Sequence, residues 1–192
     1  MYKMCQTEQS AARQKELEQG LLAAMESTRF DELTVSELCQ RMEIPRKSFY
    51  RYFSGKDGAL HALIDHTLLD FERISEGLSD RAKGDPYPGL VRFFSFWNTQ
   101  KRLLDALQRS NLSGVLVERA VRQAVKEHQV PYYYLPVREQ SVRDHAVAFV
   151  ITGLLSMVLQ WHFSGYAQSP QRMAQIAVKI LTLPLIPNDI HG

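Results

Sequence analysis

Apolar residues recur every three or four positions along most of this chain, which is the spacing of one face of an α-helix. In the first such segment, about residues 8–27, Leu17, Leu21 and Met25 share a face. No stretch alternates apolar and polar residues as a half-buried strand would. Further helices are predicted at about 56–82, 90–107, 112–128, 138–166 and 170–183. The pattern therefore predicts an all-α protein.

Two shorter helices are predicted between residues 34 and 53. Thr34 and Glu37 have the spacing of a capping box, so a helix should begin there. Pro45 suits the first turn of the next helix, because it has no amide proton to lose. Phe49 and Phe53 lie four residues apart and should point to the core. These features predict a helix-turn-helix whose second helix covers about residues 46–53.

Charge is informative only locally. The chain has 192 residues and a net charge of +2, which gives no general argument for nucleic acid. Residues 46–56, however, contain four basic residues, no acidic residue and several hydroxyl groups. Such a surface suits a phosphate backbone, although a charged helix face can also be merely solvated. If this helix enters the major groove, Arg46, Lys47 and Ser48 should reach base edges, and Tyr50 and Tyr52 should reach phosphates.

With these residues in place, residues 10–60 resemble the DNA-binding domain of the TetR family of bacterial transcriptional regulators (TetR/AcrR type). The resemblance is carried by Thr34–Leu38, Ile44, Phe49–Phe53, Lys56 and Ala59-Leu60. More weakly, Gly153-Leu154-Leu155, Trp161, Gly165 and Ser169-Pro170 are similar to the last two helices of that family.

The resemblance implies an all-helical homodimer that binds double-stranded operator DNA and responds to an unknown small-molecule effector. It implies a helix-turn-helix DNA-binding domain over residues 1–55 and a helical effector-binding and dimerisation domain over residues 56–192. The DNA-contacting positions that it implies are Thr34, Arg46, Lys47, Ser48, Tyr50, Tyr52 and Lys56. The chain departs from the family pattern at Glu43 and Lys47, where glycine is common, so a strained turn and an altered operator are expected.

The C-terminal part supplies a candidate pocket and a candidate subunit contact. Its aromatic residues can line a ligand pocket or simply fill the core. The pocket residues that we predict are Phe93, Phe94, Trp97, Tyr133, Phe149 and Met157. The dimer interface that we predict, formed as a four-helix bundle, contains Phe149, Gly153, Met157, Trp161, Ile176 and Ile180.

Other sequence features favour a cytoplasmic protein that is not an enzyme. The N-terminus lacks the apolar segment of a secretory signal, and the longest apolar run, residues 146–161, is shorter than the ~20 residues of a membrane span. We find no motif for a metal, a cofactor or a catalytic nucleophile, and we expect His61, Asp65 and His66 to be surface polar residues. A repressor released by its effector is favoured. The alternatives are an activator or co-activator acting through a protein partner, a protein–protein adaptor, and a small helical enzyme.

Overall fold

The structure, a computed structural model, describes Tyr2 and residues 7–75, 85–127 and 139–182. Within these ranges it contains nine α-helices and no β-strand, which confirms the all-α prediction. The helices are α1 (Glu8–Met25), α2 (Val35–Arg41), α3 (Arg46–Tyr52), α4 (Lys56–Ser75), α5 (Tyr87–Thr99), α6 (Lys101–Arg109), α7 (Ser113–Glu127), α8 (Gln140–Phe163) and α9 (Pro170–Thr182).

The predicted capping box at the start of α2 is formed. The amide of Glu37 donates to the Thr34 hydroxyl at 3.2 Å, and the Glu37 carboxylate accepts from the Thr34 amide at 2.8 Å. Two backbone amides at the start of α2 that have no acceptor within the helix thereby gain one. Hydrogen bonds from the Thr34 side chain and backbone also lower the pKa of the Glu37 carboxyl, so that it stays ionised.

The turn between α2 and α3 has the strain that the sequence predicts. Glu43 has a φ of 53°, in the left-handed region that glycine adopts without cost. The amide of Ile44 donates to the carbonyl of Cys39 at 2.9 Å, which closes the turn. Pro45 was predicted in the first turn of α3 but lies just before the helix. It has an extended conformation, and α3 begins at Arg46.

Helix α2 packs against both α1 and α3, and α1 packs against α4. Leu21, Leu38 and Phe49 are fully buried within one apolar cluster that continues from α1 to α9. A Cβ added at Gly20 would lie 2.2 Å from the Sδ of Met42, so the glycine allows the end of α2 to approach α1. Cys39 is buried in this core, and burial raises the pKa of its thiol.

The C-terminal helices follow the predicted order with two differences. The glycine- and proline-rich residues 84–89 predict a linker, but α5 already begins at Tyr87, with a proline in its first turn. The sequence around residues 98–99 allows a break in the helix predicted at 90–107, and the structure has one at Gln100, between α5 and α6. The end of the helix predicted at 56–82 and the tyrosine-rich loop at 131–136 lie outside the described residues.

Helix α8 extends beyond the predicted apolar run at residues 146–161, which Thr152, Ser156 and Gln160 interrupt. Its 24 residues are enough, by length and composition alone, to cross a membrane, and a third of its most apolar window is buried in the subunit. Its buried side packs against α6 and α7. The apolar residues on its other side require a different explanation, which the subunit contact proposed below provides.

Candidate nucleic-acid interface

Helix α3 presents a basic surface to solvent. Arg46, Lys47 and Arg51 are exposed, and Tyr50 is 43% exposed. The guanidinium of Arg46 lies 5.9 Å from the centre of the Tyr50 ring, within the range of a cation–π contact. Ser48 is half-buried on the same helix. The structure thus places Arg46, Lys47 and Tyr50 on one accessible surface, as the sequence predicts.

Two buried phenylalanines hold α3 in this orientation. Phe49 and Phe53 are 0% and 1% exposed, and their ring centres are 5.2 Å apart. Burying a side chain of this size stabilises the fold by about 1.5–3 kcal/mol, so rotating α3 would be costly. The predicted inward orientation of both rings is confirmed.

Tyr52 does not belong to the exposed surface. It is only 7% exposed, and its ring centre lies 6.3 Å from that of Phe53. The physical reason is helical spacing: residues 49, 52 and 53 are three and four positions apart and therefore share the inward face. The expectation that Tyr52 shares the basic face of α3 is wrong.

Lys56 also has a different environment from the one expected. Its ammonium group donates to the carbonyl oxygens of Phe30 and Leu33, each at 2.7 Å, and of Asp31 at 3.1 Å. It lies 4.8 Å from the centre of the Phe30 ring. An ammonium group has three protons, and three carbonyls accept them. Lys56 therefore ties the α1–α2 connection to the start of α4 and has no proton left for a phosphate in this arrangement.

A groove beside α3 contains an arginine that the predicted contact list omits. The groove, about 620 Å³, runs between the start of α1 and the end of α3, with Arg51 on one side and Thr7, Ser10 and Arg13 on the other. Arg13 is paired with Glu16 at 2.6 Å, whereas Arg51 has no acidic partner among the described residues. Arg51 is one of the four basic residues of segment 46–56, so the sequence could have placed it among the predicted DNA contacts.

The end of α1 and the loop that follows it are also connected to α6 by polar contacts. Arg109 donates to the carbonyls of Met25, at 3.3 Å, and of Glu26. The buried amide of Phe30 donates to the Ser110 hydroxyl at 2.9 Å. The end of α1 and the loop before α2 are thus bonded to the end of α6. No sequence pattern indicated these contacts, because they join residues about 80 positions apart.

Comparison with known proteins identifies the fold. No protein-family model matches the sequence, and no curated protein matches it. Solved structures do match. The fatty acid degradation regulator FadR from Bacillus halodurans is 12% identical with a TM-score of 0.57, over 90% of this chain and 96% of that one. The TetR family repressor AlkX from Dietzia sp. strain DQ12-45-1b is 17% identical with a TM-score of 0.53, over 88% and 92%. The dihydroxyacetone kinase operon activator DhaS is 14% identical with a TM-score of 0.54, over 90% and 95%.

This chain has the fold of the TetR family.

In this TetR-type fold the predicted pocket residues do not line one common cavity. Phe93 and Trp97 line a small cavity among α4, α5, α7 and α8. Phe94 is fully buried and packs edge-on against Trp161, with ring centres 6.0 Å apart, so it belongs to the core. Phe149 and Met157 do not line this cavity, which α8 reaches through Ile151 and Leu155 instead. Tyr133 lies outside the described residues.

The predicted dimer residues of the TetR-type fold also divide. Phe149 is 67% exposed, Ile180 is 46% exposed, and Gly153 is exposed with open space where a Cβ would lie. Met157 and Ile176 are half-buried. Trp161, however, is buried, and its indole donates to the carbonyl of Gln168 at 3.0 Å. Trp161 therefore does not lie on the exposed apolar face with Phe149.

A polar network replaces the surface residues expected on α4. The Asp65 carboxylate accepts a hydrogen bond from the Tyr2 hydroxyl at 2.7 Å. It also forms a bidentate ion pair with Arg119 of α7. The Nδ1 of His66 lies 2.9 Å from both carboxylate oxygens of Glu18, a residue of α1 that is 1% exposed. Asp65 and His66 thus join helices rather than face solvent alone. The described residues contain no cluster of metal-ligating side chains.

Proposed function

We propose that this chain is a DNA-binding transcriptional regulator that acts as a homodimer and responds to a small molecule. The observation that carries the proposal is the exposed cationic face of α3, which the buried Phe49 and Phe53 hold at the surface. A short helix presented in this way after a tight turn is the arrangement that enters a major groove. The similarity to regulators of the same fold supports the proposal.

We propose that Arg46, Lys47 and Ser48 read base edges, because they occupy the first turn of α3. The Tyr50 hydroxyl and Arg51 bind DNA phosphates on either side of the major groove. Thr34, at the exposed start of α2, lies near the sugar–phosphate backbone of the DNA. Tyr52 and Lys56 support α3 and its neighbours from within the subunit. In this proposal residues 1–55 form the reading domain and residues 56–192 form the effector and dimer domain.

The apolar residues left exposed on α8 and α9 provide the subunit contact. Phe149, Phe163 and Ile180 are 67%, 51% and 46% exposed, and apolar residues grouped on a surface commonly mark a protein–protein contact. Two such helices from each subunit pack as a four-helix bundle and bury these residues. The dimer presents two copies of α3, which can meet successive major grooves about 34–36 Å apart.

We propose that the protein represses transcription and that its effector releases it from the operator. The effector need only bind one arrangement of the two reading domains better than the other. The bonds from Arg109 and Ser110 to the α1–α2 connection, and from Lys56 to the same segment, offer a path for that coupling. The alternative of an activator is kept, since DhaS, one of the similar structures, is described as an operon activator. Either role places the protein in the cytoplasm.

A selection from genomic DNA fragments, followed by fluorescence anisotropy on the enriched sequence, tests the DNA-binding proposal. We expect one enriched motif with two-fold symmetry, and affinity that falls steeply as salt rises. The same titration with a scrambled duplex should be much weaker. A purified dimer that binds both duplexes equally, or neither at low salt, would overturn it. Reporter expression with and without the gene then separates repressor from activator.

A further inference from the structure

Tyr2, which precedes α1 in the chain, contacts the end of α3. Its backbone forms an isolated antiparallel bridge with that of Phe53, the residue that caps the C-terminal end of this helix. Phe53 is buried, and its amide donates to the carbonyl of Phe49 at 3.1 Å, which completes the last turn of α3. Tyr2 is therefore attached to the C-terminal end of the helix that carries the exposed basic face.

The side chain of Tyr2 reaches α4. Its hydroxyl donates to the Asp65 carboxylate at 2.7 Å, and its ring lies edge-on to that of His66, with centres 5.8 Å apart. A hydrogen bond to an ionised acceptor is stronger than one between two neutral groups. Burial, together with the hydrogen bond to Asp65, raises the pKa of the Tyr2 hydroxyl above its ordinary 10, so the hydroxyl keeps the proton that it donates. Tyr2 thus connects the end of α3 to the middle of α4.

The two residues of α4 that Tyr2 contacts are themselves bonded to other helices. Asp65 forms its bidentate ion pair with Arg119 of α7, and both side chains are largely buried. His66 is paired with Glu18 of α1, which is 1% exposed. Separating a buried ion pair is costly, because it leaves a charge in the protein interior without a partner. The hydroxyl of Tyr2 is therefore bonded to a well-fixed part of α4.

Helix α3 depends on such contacts because it is short. It has seven residues, and among the described helices it packs mainly against α2. An isolated helix of this length is not stable in water. Only Ser54 and Gly55 separate Phe53 from the start of α4. The orientation of α3 relative to α4 is therefore set by its buried rings, Phe49 and Phe53, and by the bonds at its ends, of which Tyr2 supplies one.

We propose that Tyr2 is a positioning residue for DNA recognition, which braces the end of α3 against α4 through its bridge to Phe53 and its hydrogen bond to Asp65. The brace holds the basic face in the orientation in which it meets the major groove. Binding then does not have to order this helix at the expense of affinity. The inference rests on the function proposed above, and it assigns to Tyr2 no contact with DNA.

Hydrogen exchange, followed residue by residue by NMR, tests the brace without DNA. Tyr2→Phe removes the hydroxyl and keeps the ring beside His66. We expect the amides at the end of α3, Phe53 among them, to exchange at least about tenfold faster, because a lost hydrogen bond to a charged group allows this end to open. Tyr166→Phe is the matched control: this tyrosine is also half-buried, and its hydroxyl is hydrogen-bonded at 2.8 Å to His162 of α8. It should leave exchange at the end of α3 unchanged.

Operator affinity, measured by fluorescence anisotropy, tests the consequence for recognition. Tyr2→Phe should bind the selected operator at least about threefold more weakly, because part of the binding energy is used to order α3. The preferred sequence should stay the same, since the side chains that read base edges are unchanged. Tyr166→Phe should bind as the unchanged protein does, even where its unfolding temperature falls by a similar amount.

A double-mutant cycle with Asp65 distinguishes a brace from a direct contact with DNA. Asp65→Ala removes the acceptor of the Tyr2 hydroxyl. If Tyr2 acts through Asp65, Tyr2→Phe should cause no further loss of affinity in the Asp65→Ala background. An equal loss in both backgrounds would mean that the hydroxyl binds DNA itself, and it would overturn the proposal. Thermal unfolding shows whether each variant is folded; if Asp65→Ala is not, the comparison of Tyr2→Phe with Tyr166→Phe decides the proposal.

The outcomes separate this inference from the function on which it rests. Unchanged exchange at the end of α3 in Tyr2→Phe would overturn the brace whether or not the protein binds DNA. Faster exchange with unchanged operator affinity would show that the brace does not position α3 for recognition, and it would overturn the proposed role. If the unchanged protein bound no DNA, the proposed function would fail, while faster exchange would still support the tie between Tyr2 and α3.

Discussion

The ammonium nitrogen of Lys56 lies 2.7 Å from the carbonyl oxygen of Leu33 and donates a hydrogen bond to it. The same group is bonded to the carbonyls of Phe30 and Asp31. These carbonyls belong to the connection between α1 and α2, and Lys56 is the first residue of α4. The α1–α2 connection is thereby fixed to α4, the helix that reaches the cavity through Phe71 and Glu72. Lys56 is a structural joint between the two regions.

Replacing Lys56 with methionine should reduce the free energy of unfolding by about 2–3 kcal/mol, because three carbonyls lose a charged donor while the aliphatic part is kept. Urea unfolding measures this change. Exposed Lys47→Met is the control and should have almost no effect on stability.

The DNA affinity of the Lys56 variant distinguishes the joint from a phosphate contact. If Lys56 neutralised a phosphate, the slope of log affinity against log salt would become shallower by about one. We expect the slope to be unchanged, with any loss of affinity matching the loss of stability. A shallower slope at unchanged stability would show that Lys56 leaves its carbonyls to bind DNA.

Lys47→Ala should change which operator sequence is preferred. The side chain is exposed in the first turn of α3, where the TetR-type pattern commonly has glycine, and it can donate to a guanine edge. We expect loss of about 1–3 kcal/mol of discrimination at one base pair of each half-site, measured by competition among operator variants. Arg122→Ala, which removes an exposed charge from α7, should leave the preference unchanged. An identical motif from both variants would contradict a base-reading role for Lys47.

Tyr50→Phe removes only a hydroxyl group and should weaken binding to all sequences alike. The ring stays beside Arg46 and Phe49, so the fold should be unaffected. One lost hydrogen bond to phosphate corresponds to about 0.5–1.5 kcal/mol, a loss of affinity of roughly twofold to thirteenfold. Anisotropy with the selected operator and with a scrambled duplex measures both losses. A loss confined to the operator would assign Tyr50 to base reading instead.

The local features of the reading unit were predictable because their signals are local. The capping box, the left-handed turn at Glu43 and the inward pair Phe49 and Phe53 depend on residues within one or two helical turns of each other. All three are present in the structure. Tyr52 was placed on the exposed surface because its neighbours are basic and polar. Its spacing from Phe49 instead turns it towards the core.

The remaining differences come from contacts between distant parts of the chain. The acceptors of Lys56 lie 23–26 positions earlier, and the partner of Asp65 lies 54 positions later, so no spacing rule relates them. Trp161 was predicted in the dimer interface, from its helical spacing on α8 and from the resemblance of this segment to the family's last two helices. Its burial depends on Phe94 and Tyr166, which only the packed helices bring to it.

Gly153→Arg should convert the dimer to monomers and weaken operator binding. Nothing lies within 4 Å of the position that a Cβ would occupy, so the arginine fits the isolated subunit and acts only on a partner at that face. Gly114→Arg is a matched control, because this glycine on α7 is equally open. We expect light scattering to give a monomer for the first variant and a dimer for the second, with similar unfolding temperatures. A dimer in both would place the subunit contact elsewhere.

The ion pair of His66 with Glu18 should make stability depend on pH. The hydrogen bond to the Glu18 carboxylate raises the pKa of His66 above its ordinary 6.5. A raised folded-state pKa means that the unfolded protein loses its proton first, so the stabilisation is complete below pH 6.5 and is lost as pH rises through the folded-state pKa. Asp65, Asp70 and the Tyr2 ring also face His66. His66→Gln should therefore destabilise the protein more at about pH 5.5 than at about pH 8.5 in urea unfolding, whereas exposed His145→Gln should show no such difference. An equal loss at both pH values would mean that His66 contributes through packing and not through its charge.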